Sequence, residues 1–159
     1  MTDSRLDRFV TAQGSGEYEG ALAEITAGRK TGHWIWYVFP QLAGLGMSDM
    51  SRAYAIRDRD EAVAYLRHPV LSARLLEISN AAAAHLRSGV PLGRLMGSSI
   101  DAAKLVSSMT LFGEVARTLP DADMSDTTRG IADAADAILA AAASQGHARC
   151  KHTLAHLHR

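Results

Sequence analysis

Residues 69–87 read PVLSARLLEISNAAAAHLR, and this stretch decides the fold. Leu71, Leu75, Ile78 and Leu86 fall at the spacings that bring side chains onto one face of an α-helix. Pro69 suits the first turn, where its missing N–H would have no intrahelical partner anyway. The same period continues on both sides. Toward the N-terminus, residues 60–67 (DEAVAYLR) form a short helix capped by Asp58 or Asp60 and ended by His68-Pro69. Residues 17–27 (EYEGALAEITA) carry Tyr18, Leu22 and Ile25 on one face, with Gly28 as the stop. Residues 3–13 (DSRLDRFVTAQ) start from a cap at Asp3 or Ser4 and carry Leu6, Phe9 and Val10.

Toward the C-terminus, residues 98–112 (SSIDAAKLVSSMTLF) place Ser98 and Asp101 at the spacing of a capping pair. Residues 125–145 form an alanine-rich helix stopped by Gly146, and 149–157 form a last short one. Between these elements, residues 34–39 are either one helical turn or a short strand, since pattern alone does not separate the two. The expectation is an all-α or mainly α chain: a single compact helical domain over residues 1–159, of about seven helices, with an irregular loop near residues 40–52.

The 159 residues suffice for one domain with a core of its own. Lysine plus arginine number 17 and aspartate plus glutamate 17, so no basic excess points to nucleic acid. Cys150 is the single cysteine, which excludes an internal disulfide or a thiolate metal cluster. The polar start, MTDSRLDRFV, lacks an apolar signal core, and no run is apolar enough to span a bilayer. These features predict a cytoplasmic protein with neither a nucleic-acid nor a membrane partner. There is no Walker loop, GxGxxG, GxSxG or CxxC, so no cofactor is implied. His152 and His156 have chelating spacing, but no carboxylate or thiolate joins them, and no metal is expected.

Two groups of residues carry chemistry. The first is GHWIWYVFPQ at 32–41, where Trp34 and Trp36 lie among Lys30, His33 and Gln41. Polar groups beside aromatic walls are what a small-molecule site needs. Core packing is the competing explanation for the rings. The second is the row Asp101, Lys104, Ser108, which shares one helical face and could equally be a surface ion pair with a hydroxyl bonded to backbone.

Three ordered stretches, GRKTGHWIWYVFPQLAGLGMSDMSRAYAI, EAVAYLRHPVLSARLLE and SIDAAKLVSSMTLF, resemble the domain-of-unknown-function family 1810. The resemblance runs from Phe9 and Gln13 to Phe112, leaving a family-like core, 9–112, and a divergent alanine-rich part, 113–159. It implies a helical single domain and no particular reaction. The C-terminal part lacks the aromatic turn and the Asp-x-x-Thr start that such proteins carry. HPVLSARLL, with the tryptophans and the lysine-bearing helix, is also similar to the NADAR family of N-glycosidases, although the order of elements differs.

The expected function is therefore a pocket for a small nucleotide- or glycosylamine-like molecule, with N-glycosidase-type hydrolysis as its chemistry. Trp34 and Trp36 would wall it, and Lys30, His33, Gln41 and Ser108 would contact the ligand. Asp101 would act as general base or orient a ribose hydroxyl, and Lys104 would hold a phosphate or stabilise developing charge. The alternatives are a non-catalytic binding module or a protein-interaction module. The sequence sets no oligomeric state.

Overall fold

The computed structural model describes residues 4–158. Among these there are ten α-helices, two 3-10 turns and no strand. The fold is all-α, as expected, and the three helices beyond the expected seven are each four or five residues long, too short for a period to register.

In chain order, α1 (Asp7–Gln13) and α2 (Glu17–Thr26) come first. The Asp3 cap lies outside the described residues, and α1 is entered from a 3-10 turn at Ser4–Leu6 with no side-chain cap. Residues 34–39 resolve as a helical turn, α3 (Ile35–Val38). α4 (Asp49–Ala53) lies inside the segment expected to be irregular and is capped by Ser48. α5 (Arg59–Arg67) takes its cap from Asp58, whose Oδ1 accepts the Glu61 amide at 2.9 Å. α6 (Pro69–Arg87) is capped by His68, whose Nδ1 accepts the amides of Val70 and Leu71. α7 (Leu92–Met96) leads through Gly97 into α8 (Ser99–Thr118). α9 (Asp126–Ser144), capped by Ser125, and α10 (Lys151–Leu157) complete the chain.

The core forms where α9 packs along both α6 and α8, with α2 against α6 and with α5, α7 and α10 against α8. α8 is the central element. Every residue from Leu105 to Gly113 is buried, so it is covered all round rather than along one stripe. Its contact with α9 is close: a Cβ on Gly113 would lie 3.1 Å from that of Ala135. The alanine-rich composition of α9 thus lets two helices approach tightly.

The fully buried Glu61 ties α1 to α5. Arg8 donates to its Oε1 at 2.8 Å, and the Arg57 amide donates at 3.1 Å. The loop after α3 is pinned at both ends, with the Ala43 amide on the Ile56 carbonyl and the Ile56 amide on the Gln41 carbonyl, each at 2.8 Å. Among the described residues no helix is long and apolar enough to cross a membrane.

Candidate functional site

The site starts from the connection between α2 and α3. Helix α2 ends at Thr26, Gly28 follows with left-handed backbone, and the chain then runs beside the α7–α8 corner. The Lys30 amide bonds the Leu95 carbonyl at 2.8 Å. Gly97 has φ +81°, and a Cβ there would sit 2.6 Å from the Lys30 carbonyl oxygen, so only glycine allows the approach. Glu24 shapes the connection from below. Its Oε1 accepts the amides of Thr31 (2.6 Å) and Gly32 (2.7 Å) and the Trp34 indole N–H (3.0 Å). Burial pushes this carboxyl up, but the hydrogen bonds from Gly32, Thr31 and Trp34 outweigh it and hold the group below its ordinary range.

This arrangement delivers Lys30 to the first turn of α8. Ser98 caps that helix through the Asp101 amide, which leaves the Asp101 side chain free to turn outward. Its carboxylate lies 2.8 Å from Lys30 Nζ and 3.5 Å from Lys104 Nζ. Lys30 also donates to the Gly32 carbonyl and lies 5.0 Å from the Trp34 ring centroid. Lys104 lies 4.7 Å from that of Trp36. Two cations over two indoles are thus joined by one carboxylate. Side-chain exposure rises along the row from 4% at Lys30 to 18% at Asp101 and 21% at Lys104. Two positive charges against one negative leave an excess of one, and its outward end is Lys104.

Lys104 lines a cleft of about 600 Å³. One wall is the pinned loop, with Gln41, Leu45 and Ser51. The floor is α8, with Ile100, Val106 and Ser107. The opposite wall is the α9–α10 connection, with His147 and Cys150. That connection is fixed in place. Gln145 accepts the Leu92 amide at 2.7 Å, and the Cys150 amide bonds Thr110 Oγ1 at 3.2 Å. His152 reaches across to donate to the Ala43 carbonyl at 3.0 Å. Trp36 borders a smaller recess under the loop that shares Gln41, Leu45, Gly46 and Ser51 with the cleft, and its indole nitrogen is buried without an acceptor.

The fold therefore brings Lys30, Trp34, Trp36, Asp101 and Lys104 into one cluster and places Gln41 with Lys104 on the cleft. Ser108 and His33 are separated from both, and Trp34 joins the cluster from inside the core rather than as a wall of the cleft. Trp34 is buried in the core, Ser108 is buried within α8 without a hydrogen-bond partner, and His33 is exposed and does not line the cleft. Ser107, not Ser108, faces the cleft, because α8 turns the row slightly as it rises. The sequence gives no warning of Glu24, which looks like one surface carboxylate among several on α2. Nor does it link Cys150 and His147 to residues more than forty positions earlier.

Cys150 is partly buried. Burial raises its thiol pKa, but the Thr153 hydroxyl (3.3 Å from Sγ) and amide, the Ser107 hydroxyl and the His152 amide together hold it below the ordinary thiol value. The Ser107 hydroxyl stands near the sulfur but forms no hydrogen bond. Among the described residues no three histidine, cysteine, aspartate or glutamate side chains come together as a metal site.

A family model described as a protein of unknown function (DUF1810) matches residues 3–134. No curated protein matches the chain. The crystal structure of the conserved hypothetical protein Rv1873 from Mycobacterium tuberculosis is similar at 35% identity and a TM-score of 0.73, covering 97% of this chain and 96% of that one. The chain belongs to the DUF1810 family.

Proposed function

We propose that this DUF1810 protein is a receptor for a small anionic molecule, nucleotide- or glycosylamine-like in size, held in the cleft over α8. The observation that carries the reading is the state of Lys104. Its ammonium is steered onto the Trp36 face and stands at the cleft with its neighbouring carboxylate already matched by the buried Lys30. A cation over an indole is favourable by about 0.5–2 kcal/mol, which holds the side chain in place without consuming its hydrogen-bond donors. A volume of about 600 Å³ falls in the range of small-molecule sites. Leu45, Ile100 and Val106 offer apolar surface, while Gln41 and Ser51 offer polar contacts.

Hydrolysis of a glycosidic bond would need a carboxylate at the reacting carbon and an acid at the leaving group. Asp101 is held by two ammonium groups and does not line the cleft, and His33 is not beside it. The reading is therefore binding without turnover, with hydrolysis as the outcome that would enlarge it.

The test is a fluorescence titration in a Trp34→Phe background, which leaves Trp36 as the only indole. The ligands are nucleotides, ADP-ribose, NAD and riboflavin intermediates, and each is recovered afterwards. A saturable change with an intact anionic ligand, weakened about tenfold or more by Lys104→Met, supports the reading. Equal binding by the folded Lys104→Met protein, or no binding at all, overturns it. Recovery of a cleaved ligand replaces receptor with enzyme. A second reading rests on the exposed side chains of Met47 and Ile100, 83% and 68% accessible, beside this cleft. An apolar rim of this kind suits a protein partner, and Met47→Ser, which alters no residue lining the cleft, would weaken such docking while sparing small-molecule binding.

A further inference from the structure

We propose that Cys150 is the attachment point of a reversible covalent ligand, a small disulfide whose carboxylate is received by Lys104. The proposal rests on the cleft being a small-molecule site and names the chemistry of its occupant. Three groups line the cleft. The first is the Cys150 sulfur, which accepts the Thr153 hydroxyl at 3.3 Å. Sulfur of a neutral thiol is a weak acceptor, so a hydroxyl donor aimed at it suits a thiolate. The second is Ser107, only 3% exposed, whose hydroxyl lines the cleft and has no hydrogen-bond partner. A buried hydroxyl left unpaired is costly, and a polar atom of a ligand would satisfy it. The third is Lys104, three residues before Ser107 on α8 and so about 5 Å along the helix.

The chemistry is thiol–disulfide exchange. The Cys150 thiolate attacks one sulfur of the small disulfide. A bond forms between those two sulfurs as the disulfide's own sulfur–sulfur bond breaks. The other half leaves as a thiolate and takes up a proton from solvent, equal to the one Cys150 released. The small disulfide is the oxidant, and a free small thiol reverses the step.

The experiment compares 3,3′-dithiodipropionate, which carries a carboxylate on each arm, with the neutral 2-hydroxyethyl disulfide. Adduct formation is followed by intact-protein mass, and an unstructured peptide with one cysteine serves as reference. The expected result is that the wild-type protein prefers the charged disulfide by about tenfold relative to the peptide. Lys104→Met should return that ratio to the peptide's, Cys150→Ser should form no adduct, and Thr153→Val should move the pH midpoint of Cys150 alkylation upward. A wild-type ratio equal to the peptide's, or one unchanged in Lys104→Met, overturns the proposal. The Cys150→Ser protein separates the two readings: if it still binds an anion reversibly while the wild-type ratio is flat, the covalent step falls and the receptor stands.

Discussion

Replacing Glu24 tests how the lysine row is positioned. One carboxylate oxygen, Oε1, accepts all three donors, from Thr31, Gly32 and Trp34. Glu24→Ala removes the acceptor from all of them. Thr31 is exposed and its amide returns to water, but the indole N–H of Trp34, a residue only 2% exposed, loses its partner. A buried donor left unpaired costs about 1–3 kcal/mol, and each lost bond to a charged group about 1.5 kcal/mol or more before rehydration. The expected loss is about 3 kcal/mol for Glu24→Ala. For Glu24→Gln it is about 1 kcal/mol, because the amide oxygen can take the same place without the charge. Urea unfolding with tryptophan emission as the signal measures both.

The pH dependence follows from the direction of the Glu24 shift. Its folded-state pKa is depressed, so the charge stabilises the fold fully above the unfolded-state value of about 4.3. That stabilisation fades as pH falls through the lower folded-state value. The gap between wild type and Glu24→Gln should therefore close on acidification and stay constant near neutrality. A Glu24→Ala protein within about 0.5 kcal/mol of wild type, or a gap that ignores pH, would refute the reasoning.

Two other substitutions probe the frame. Gly97→Ala should cost about 1–2 kcal/mol for the left-handed backbone alone, with more from the clash against the Lys30 carbonyl. It should also weaken anion binding by shifting Lys30, measured by calorimetric titration beside thermal unfolding. Arg8→Met should cost about 3 kcal/mol, because Glu61 is fully buried and would keep only its Arg57 contacts. Adding Glu61→Gln to Arg8→Met should recover part of that loss in the same unfolding assay, and no recovery would mean that the charge of Glu61 is not what Arg8 serves.

The long helices were legible because their apolar faces repeat over many turns. Helix α6, with Pro69 at its start and Gly89 after its end, carries signals at both ends. The short α3, α4 and α7 were not legible, since their positions come from neighbours rather than from any period of their own. The association of Trp34, Trp36, Asp101 and Lys104 could be suspected from residue type. Its geometry could not, because it depends on Gly97 admitting the Lys30 backbone and on Glu24 gathering three donors. Ser107 and Ser108 differ by one residue in sequence and by a third of a turn in space. The end of α9 at Gly146 was legible, but the opposite wall of the cleft was not, because residues 146–150 are placed by bonds to Thr110 and, through His152, to Ala43 rather than by any local pattern.

The two sides of the cleft answer to different constraints. Ser107 and Val106 belong to a helix packed on every side, so changing them disturbs the whole interior. Ala148 and Arg149 are exposed, and residues 146–150 lie beyond the 3–134 stretch that matches the family. A chimaera that keeps the chain through Ser144 and borrows its ending from a relative would retain the Lys104 cation and meet it with a different face. In the proposed receptor, ligand choice can thus be retuned at the α9–α10 connection without disturbing the helix that carries Lys104, as a lock rekeyed by changing its front plate while the cylinder stays in the door.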